Sequence, residues 1–209
     1  MDIDFEQLGV YERYKLMASL IVPRPIALIT TLGPDGTVNA APFSMFNMLG
    51  EDPPTVLVSI NRLAGGAMKD TAANILARRE FVVHLTDEAM AAQMHACGDA
   101  LPPHQSELVH AGLTARPSVR VAPPRIAEAP VAFECVLHET LESPSRLVFI
   151  GRVLCLGVRD GLVDAERWRV RLQDYHPVGR FGASFYVRMS DRFALGAAQG
   201  GHSTAIDEL

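Results

Sequence analysis

Two groups of residues in this chain have the types and spacing to hold an anion. Lys69-Asp70-Thr71 follows Gly65-Gly66 and opens a run that reads as a helix. Glycines ahead of a helix N-terminus leave backbone N–H groups free, and the helix end carries positive potential. Lys69 adds a cation and Thr71 a hydroxyl donor, a combination that suits a phosphate. The order GxxxxGK[ST] is absent, so this is not a P-loop. The same residues also read as a plain helix start, with Asp70 or Thr71 as cap and Lys69 in solvent. The second group is His176, Arg180, Gly182 and Tyr186, on a glycine-bearing loop. Such a loop can close over a ligand, and the planar fork of Arg180 matches a phosphate or a carboxylate. Structurally, His176 would end a loop and Arg180 would lie on the surface.

Other chemistries find less support. His95, Cys97, His104 and His110 offer metal-binding atoms, but their spacing fits no zinc pattern, and CxxC and HExxH are absent. There is no GxSxG elbow, and Cys97, Cys135 and Cys155 have no recognisable His-Asn partnership. Cys135 and Cys155 fall inside strand-like runs and read as core residues. No GxGxxG follows a strand, which removes a Rossmann dinucleotide site.

The elements that would position these groups start with the stretch Arg24 to Asn47. Ile26 to Leu32 is apolar or β-branched and reads as a buried strand. Gly33-Pro34-Asp35-Gly36 is turn chemistry. Thr37 to Ser44 returns as a second strand, with Pro42 marking an edge, a bulge or an end. Its small and polar residues would let a flat ligand approach the backbone, but taken alone they favour an edge strand that fades out. Phe5 to Met17 forms a short amphipathic helix that packs on the barrel or on a partner chain. Thr55 to Asn61 and Phe81 to Leu85 are strands. Asp70 to about Glu80 and Glu88 to about Cys97 are helices. Residues 98–124 are rich in Gly, Pro and His, too long for an ordinary loop, and read as a flap or an excursion over a neighbour. Ala132–Leu141 and Arg146–Val158 form a long hairpin, with Gly151 and Gly157 at bends or bulges. Leu162 to Gln173 reads as partly helical, His176 to Gly182 as a loop and Ala183 to Val187 as a short strand. The count is about six strands, mostly antiparallel, with two or three short helices. That is a mainly β barrel with helical decoration rather than a doubly wound sheet. The domain plan is a helical segment over 1–20, one barrel domain over 21–195 and a disordered tail over 196–209.

Composition agrees with one globular domain. The 209 residues are 48% hydrophobic and 21% charged, with a formal net charge of −5 and a pI near 5.8. Arginines are scattered rather than striped, so no nucleic-acid surface is expected. No run approaches the ~18 apolar residues of a membrane span. The N-terminus MDIDFEQLGV is acidic and is not a signal peptide. Three widely spaced cysteines argue for a reducing, cytoplasmic setting.

The signals line up in order with a known family. Pro23 to Thr31, Gly36 to Asn39, Ala41-Pro-Phe-Ser44, Asp52-Pro-Pro54 and Lys69-Asp-Thr71 carry the first half. Asn74-Ile75, Ala111 to Thr114, Pro124 to Ile126, Glu128 to Pro130, Phe133 to Cys135, Ile150 to Val153 and Pro177 to Arg180 with Gly182 and Tyr186 carry the second. Over about residues 10–190 the chain resembles the flavin reductase-like, FMN-binding split-barrel proteins, the flavoredoxin and DIM6/NTAB group. The resemblance implies a split β-barrel that binds FMN, usually as a homodimer with the flavin near the subunit interface. It implies hydride transfer from NADH or NADPH to flavin, with a flavin-dependent oxygenase or another redox protein as acceptor. It also leaves room for a flavoredoxin-type electron carrier without NAD(P)H activity, or a non-enzymatic flavin- or haem-binding module.

Carried over by residue, Thr30, Thr31 and the backbone of Ala41, Pro42, Phe43 and Ser44 would border the flavin ring. Ser44, Lys69 and Thr71, with Asp70 between them, would hold the phosphate. Asn47, Ser59, Asn61 and Arg62 would neighbour the ribityl chain. His176, as the catalytic candidate, would lie with Arg180 and Gly182 beside the ring or the nicotinamide. One departure stands out: Gly182-Ala183 replaces the two glycines frequent in relatives, and its methyl would narrow the room over the flavin. The absence of an acid–base pair or nucleophile is in keeping with chemistry performed by cofactors.

Overall fold

The structure, a computed structural model, describes residues 1–102 and 104–193; the expected tail lies outside them. In chain order the regular elements are helix α1 (Val10–Leu20), strands β1 (Arg24–Pro25), β2 (Ala27–Leu32), β3 (Val38–Phe43), β4 (Phe46–Glu51) and β5 (Pro54–Asn61), then α2 (Asp70–Arg78) and β6 (Glu80–Leu85). There follow α3 (Ala91–Ala96), α4 (Glu107–His110), β7 (Ala115–Arg116), β8 (Arg125–Ile126), β9 (Val131–Glu142), β10 (Arg146–Val158), β11 (Val163–Asp164), β12 (Arg169–Val170), β13 (Val178–Arg180) and β14 (Tyr186–Arg188).

Seven strands form one antiparallel sheet in the order β3-β2-β6-β9-β10-β5-β4. β3 and β4 are consecutive in the chain, joined by Ser44 and Met45 alone, yet they occupy opposite edges. A two-residue link between opposite edges forces the sheet to roll up. The inward faces then make one core, in which Phe43 of β3 and Phe46 of β4 pack with Ile29, Val58, Phe81 and Phe149. The two edges do not hydrogen-bond to each other, so the barrel is split. Ile75 and Ala72 of α2 join this core from the chain side. A second core lies on the outer face of β2, where Leu28 and Ile26 meet Met90, Met94, Leu108 and Leu113. β1, β13 and β14 form a small sheet of their own.

The first hairpin forms as its residues dictate. Gly36 takes φ +86°, and Thr37 N–H donates to the Asp35 carboxylate at 3.0 Å. β3 is an edge strand, so Pro42 needs no ladder donor on its outer side. Within the long 98–124 segment, Ser106 and Glu107 cover that edge. Ser106 Oγ donates to Val38 O at 2.6 Å, and Ala40 N donates to Glu107 Oε2 at 2.9 Å. The β9–β10 hairpin forms with irregularities at Ile150/Gly151 and at Val153/Cys155, so the second bulge precedes Gly157. Gly157 is instead the place where the Arg125 guanidinium passes over the strand.

Four local expectations are corrected. β4 was not anticipated, because Phe46 is its one buried residue and no alternation shows. The 162–173 stretch is a β11–β12 hairpin followed by a single 3-10 turn, Leu172–Asp174, not a helix. Val178–Arg180 is a strand paired with β1 and β14, and the last strand starts at Tyr186. Lys69, not Asp70 or Thr71, occupies the N-cap position of α2, and no side chain caps that end.

Candidate functional site

A cleft of about 520 Å³ opens where α1, the end of β3, α3 and the β13–β14 turn converge. Tyr11, Tyr14, Ala18 and Ser19 line it from α1; Pro42 and Phe43 from β3 and Ser44 from the link after it; Met94 and His95 from α3; Arg180 and Tyr186 from β13 and β14 and Ala183 from the turn between them. Arg24 and Ile26 line it between α1 and β2. Aromatic and apolar walls with a few polar groups are what a flat organic ligand requires.

Two further cations stand against the aromatic wall of the cleft, although neither lines it. Half-buried Lys69 places Nζ 5.7 Å from the centroid of the Phe43 ring. Arg146, at the start of β10, sits 5.8 Å from the centroid of the Tyr14 ring and donates to Ser59 O at 3.3 Å. Burial lowers the Lys69 pKa, and repulsion from Arg146 lowers it further. Among the described residues neither cation has a carboxylate partner. The uncapped N-terminus of α2 adds free backbone N–H groups beside Lys69. Lys69 at an uncapped helix start, with Arg146 near enough to repel it, has the charge and the donors that an oxyanion would match.

The other side carries Arg180, Tyr186 and His95. The Arg180 guanidinium lies 4.8 Å over the Tyr186 ring. His95 Nδ1 and the Tyr186 hydroxyl are 2.8 Å apart, with the two rings edge to face. Behind them, the Arg24 guanidinium donates to the carbonyls of Ala18, of Ile21 at 2.7 Å and of Phe181 at 3.3 Å. Arg24 thus ties α1 to the turn that carries Ala183. Ala183 has φ +50°, a left-handed conformation that a glycine adopts at lower cost.

Of the residues expected at the site, Pro42, Phe43, Ser44 and Arg180 line the cleft, and Lys69 touches it through Phe43. Ala41 packs against the barrel core. Thr30 and Thr31 are fully buried: Thr30 Oγ1 donates to Pro124 O at 2.6 Å, and Thr31 Oγ1 accepts from Asn39 and Asn74. Neither threonine faces the cleft. Thr71 is buried too, accepting from Asn39 Nδ2 at 2.9 Å, so its hydroxyl organises the hairpin instead of pointing outward. Exposed Asp70 borders a separate depression with Gly33, Asn39 and His104. Asn47 is exposed on β4, and Asn61 Nδ2 donates to Arg62 O at 3.1 Å. Arg62 pairs with Glu142. Ser59 contributes its carbonyl to Arg146. Gly182 is buried against Ser19, next to the cleft.

His176 is exposed and outside the cleft; its carbonyl accepts from Glu88 N. The cleft histidine is His95. The sequence reading favoured His176 through the resemblance, and considered His95 only as a metal-binding atom whose spacing fits no zinc pattern. The metal-type residues are engaged separately: His104 with Asp35, His110 with Asp99, His95 with Tyr186. Arg146 and Tyr14 carried no signal, since their roles depend on where β10 and α1 end in space.

The flavin reductase like domain matches residues 17–174. The chain belongs to this family. A protein of Aquifex aeolicus without an assigned function is 39% identical over 84% of this chain and 89% of its own length. Pseudomonas fluorescens 2-nitrobenzoate 2-nitroreductase NbaA is 36% identical, covers 98% of this chain and 100% of its own, and superposes with a TM-score of 0.87. Nitrilotriacetate monooxygenase component B from Bacillus cereus is 33% identical over 93% and 98% of the two chains, with a TM-score of 0.88. The family is one of flavin-related oxidoreductases, and the expected split barrel is the fold observed. Among the described residues no helix is long and apolar enough to cross a membrane.

Proposed function

We propose that this protein is an FMN-dependent reductase that draws hydride from NADH or NADPH. The observation that carries this reading is one cleft with aromatic walls beside two cations that have no carboxylate partner among the described residues, Lys69 at an uncapped helix start and Arg146 near it. FMN fits those residues: its single phosphate matches the cationic side, and its ring matches the Phe43–Tyr14 wall. When bound, the flavin supplies the hydride chemistry. The chain's part is to bind and orient. Lys69, Arg146 and the α2 N–H groups hold the phosphate, Ser44 offers a hydroxyl nearby, and Tyr186, Arg180 and His95 shape the room for the second substrate. In this reading His95 takes the place beside the ring expected of His176.

The acceptor is either a partner flavin-dependent oxygenase or a small molecule reduced on the protein itself. The likeness to the P. fluorescens nitroreductase supports the second, and the likeness to the B. cereus monooxygenase component the first. A homodimer is part of the proposal. Val10, Tyr11, Met17 and Leu20 of α1 and Met48 and Leu49 of β4 are exposed, an apolar surface that a second copy would cover.

The test is the visible spectrum of the purified protein, before and after anaerobic NADH or NADPH. Flavin bands near ~370 and ~450 nm that bleach with either nucleotide support the proposal, since these bands belong to the oxidised cofactor. Bands that persist with both move the protein to the electron carriers. A colourless protein that takes up no added FMN refutes the proposal.

A further inference from the structure

The described residues treat buried charge unequally. Buried Glu134 is paired with Arg125 at 2.6 Å, and buried Asp87 with Arg159 at 2.6 Å. Arg24, at 8% exposure the sole buried arginine among them, has no carboxylate partner, and its Nε has no partner at all. The carbonyls of Ala18 and Ile21 belong to the C-terminal end of α1, so they and Phe181 O orient the guanidinium and offset part of its charge, but no carboxylate neutralises it. A buried guanidinium without a carboxylate and with one N–H unmet is stabilised when an anion approaches. In front of it, Arg180 also lacks a carboxylate; it donates to Ala183 O and stacks on Tyr186. The carboxylate that does line the cleft, Asp99, is held by His110 at 2.9 Å. Two guanidinium charges therefore converge on one end of the cleft, where a low-dielectric wall focuses their field.

We infer that the Arg180 end of the cleft is a carboxylate subsite, which receives a small organic acid with a flat apolar body. The inference deepens the proposed function by naming its substrate class, and rests on that reading for placing the acid beside a flavin. The Arg180 fork binds one carboxylate bidentately, and the charge of Arg24 behind it favours the anion. Ser19 and the Tyr186 hydroxyl provide neutral donors beside it, and Ile26, Pro42 and Met94 provide the apolar wall for the body. A dinucleotide's pyrophosphate is the competing source of oxyanion. It carries more charge on a long polar body, which this apolar wall would leave poorly solvated.

The experiment is calorimetric titration of the FMN-loaded protein with benzoate, benzamide and NAD⁺, in the wild type and in Arg180→Gln and Arg180→Lys. FMN uptake is followed separately at the visible bands. Benzoate binds the wild type roughly tenfold or more tightly than benzamide, and Arg180→Gln removes that preference, as expected for a charge-assisted contact. Arg180→Lys, which keeps the charge and loses the fork, retains part of it, and decides the matter if the glutamine variant does not fold. NAD⁺ binding changes less than benzoate binding. Equal affinity for benzoate and benzamide, or a preference unchanged in both variants, overturns the inference. So does a loss of NAD⁺ binding as large as that of benzoate, which would assign the anion to the pyrophosphate. FMN uptake without benzoate binding overturns the carboxylate subsite alone. Failure to take up FMN overturns the proposed function, while selective benzoate binding by that flavin-free protein would still support the subsite.

Discussion

Replacing Lys69 and Arg146 together by alanine isolates the phosphate side of the cleft from its ring side. A charge-assisted hydrogen bond contributes about 1.5–3 kcal/mol, so two would give roughly 3–6. Arg146 is partly open to solvent, which screens it and moves the figure to the lower end. Burial is the main cause of the lowered Lys69 pKa and repulsion from Arg146 the smaller one; an anion between the two cations relieves that repulsion. About 3 kcal/mol is the resulting expectation, roughly a 150-fold rise in the FMN dissociation constant. Riboflavin, which shares the ring and ribityl chain but has no phosphate, is the control. Fluorescence titration of both ligands should show FMN weakened by that factor and riboflavin little changed. The FMN affinity of the wild type should also fall with added salt more steeply than that of the variant. If FMN and riboflavin weaken together, Lys69 and Arg146 shape the ring pocket and the phosphate assignment is wrong. Thr71 is unsuitable for such a test, because its buried hydroxyl bonds Asn39 and its removal would disturb the hairpin.

Three stability predictions follow from other positions. His84 is fully buried, with Nδ1 donating to Leu28 O and Nε2 accepting from Ile126 N, and burial pushes its pKa down to about 4 from 6.5. The unfolded chain therefore binds a proton that the folded one refuses, and stability falls as pH drops from about 6.5 towards 4, by about 3 kcal/mol in total. His84→Gln should flatten that dependence in urea unfolding measured against pH; equal slopes above pH ~5 in both proteins contradict it, because ordinary carboxylates titrate lower. Glu134 accepts from Val119 N, Arg120 N and Arg125 Nε at 2.6–2.8 Å. Burial raises its pKa, but these donors outweigh burial and hold it below the ordinary value, so its contribution is present at neutral pH and lost on acidification. Glu134→Gln should cost about 3–5 kcal/mol, or about 10 °C in Tm, and a loss under ~1 kcal/mol would show that the charge is not what anchors residues 118–125. Ala183→Gly should raise stability by about 0.5–1 kcal/mol by removing a left-handed alanine, and a fall in Tm would show that the turn depends on the methyl.

Much of the fold was legible because local chemistry and tertiary need agree there. Gly33-Pro34-Asp35-Gly36 encodes its turn, the β-branched run before it encodes a buried strand, and Pro42 marks an edge that the topology confirms. β4 was illegible for the opposite reason: an edge strand with one buried side chain has no period to read. The 162–173 hairpin was hidden by charged residues whose spacing resembles a helix face; Trp168 at φ +55° makes the turn without a glycine to announce it.

The sequence by itself determined that the chain forms a mainly antiparallel barrel, and that Lys69 stands at a helix start. Spacing, turn residues and hydrophobic alternation act over a few neighbours, and a single chain displays them directly. Only the tertiary structure decided which charges meet. It carried Arg146 from β10 close enough to repel Lys69, buried Thr30, Thr31 and Thr71 in internal hydrogen bonds, set His95 in the cleft and left His176 outside it. The physical reason is the two-residue link between β3 and β4. By rolling the sheet it sets which faces become interior and which converge on the cleft, and no local pattern at these distant residues encodes that closure.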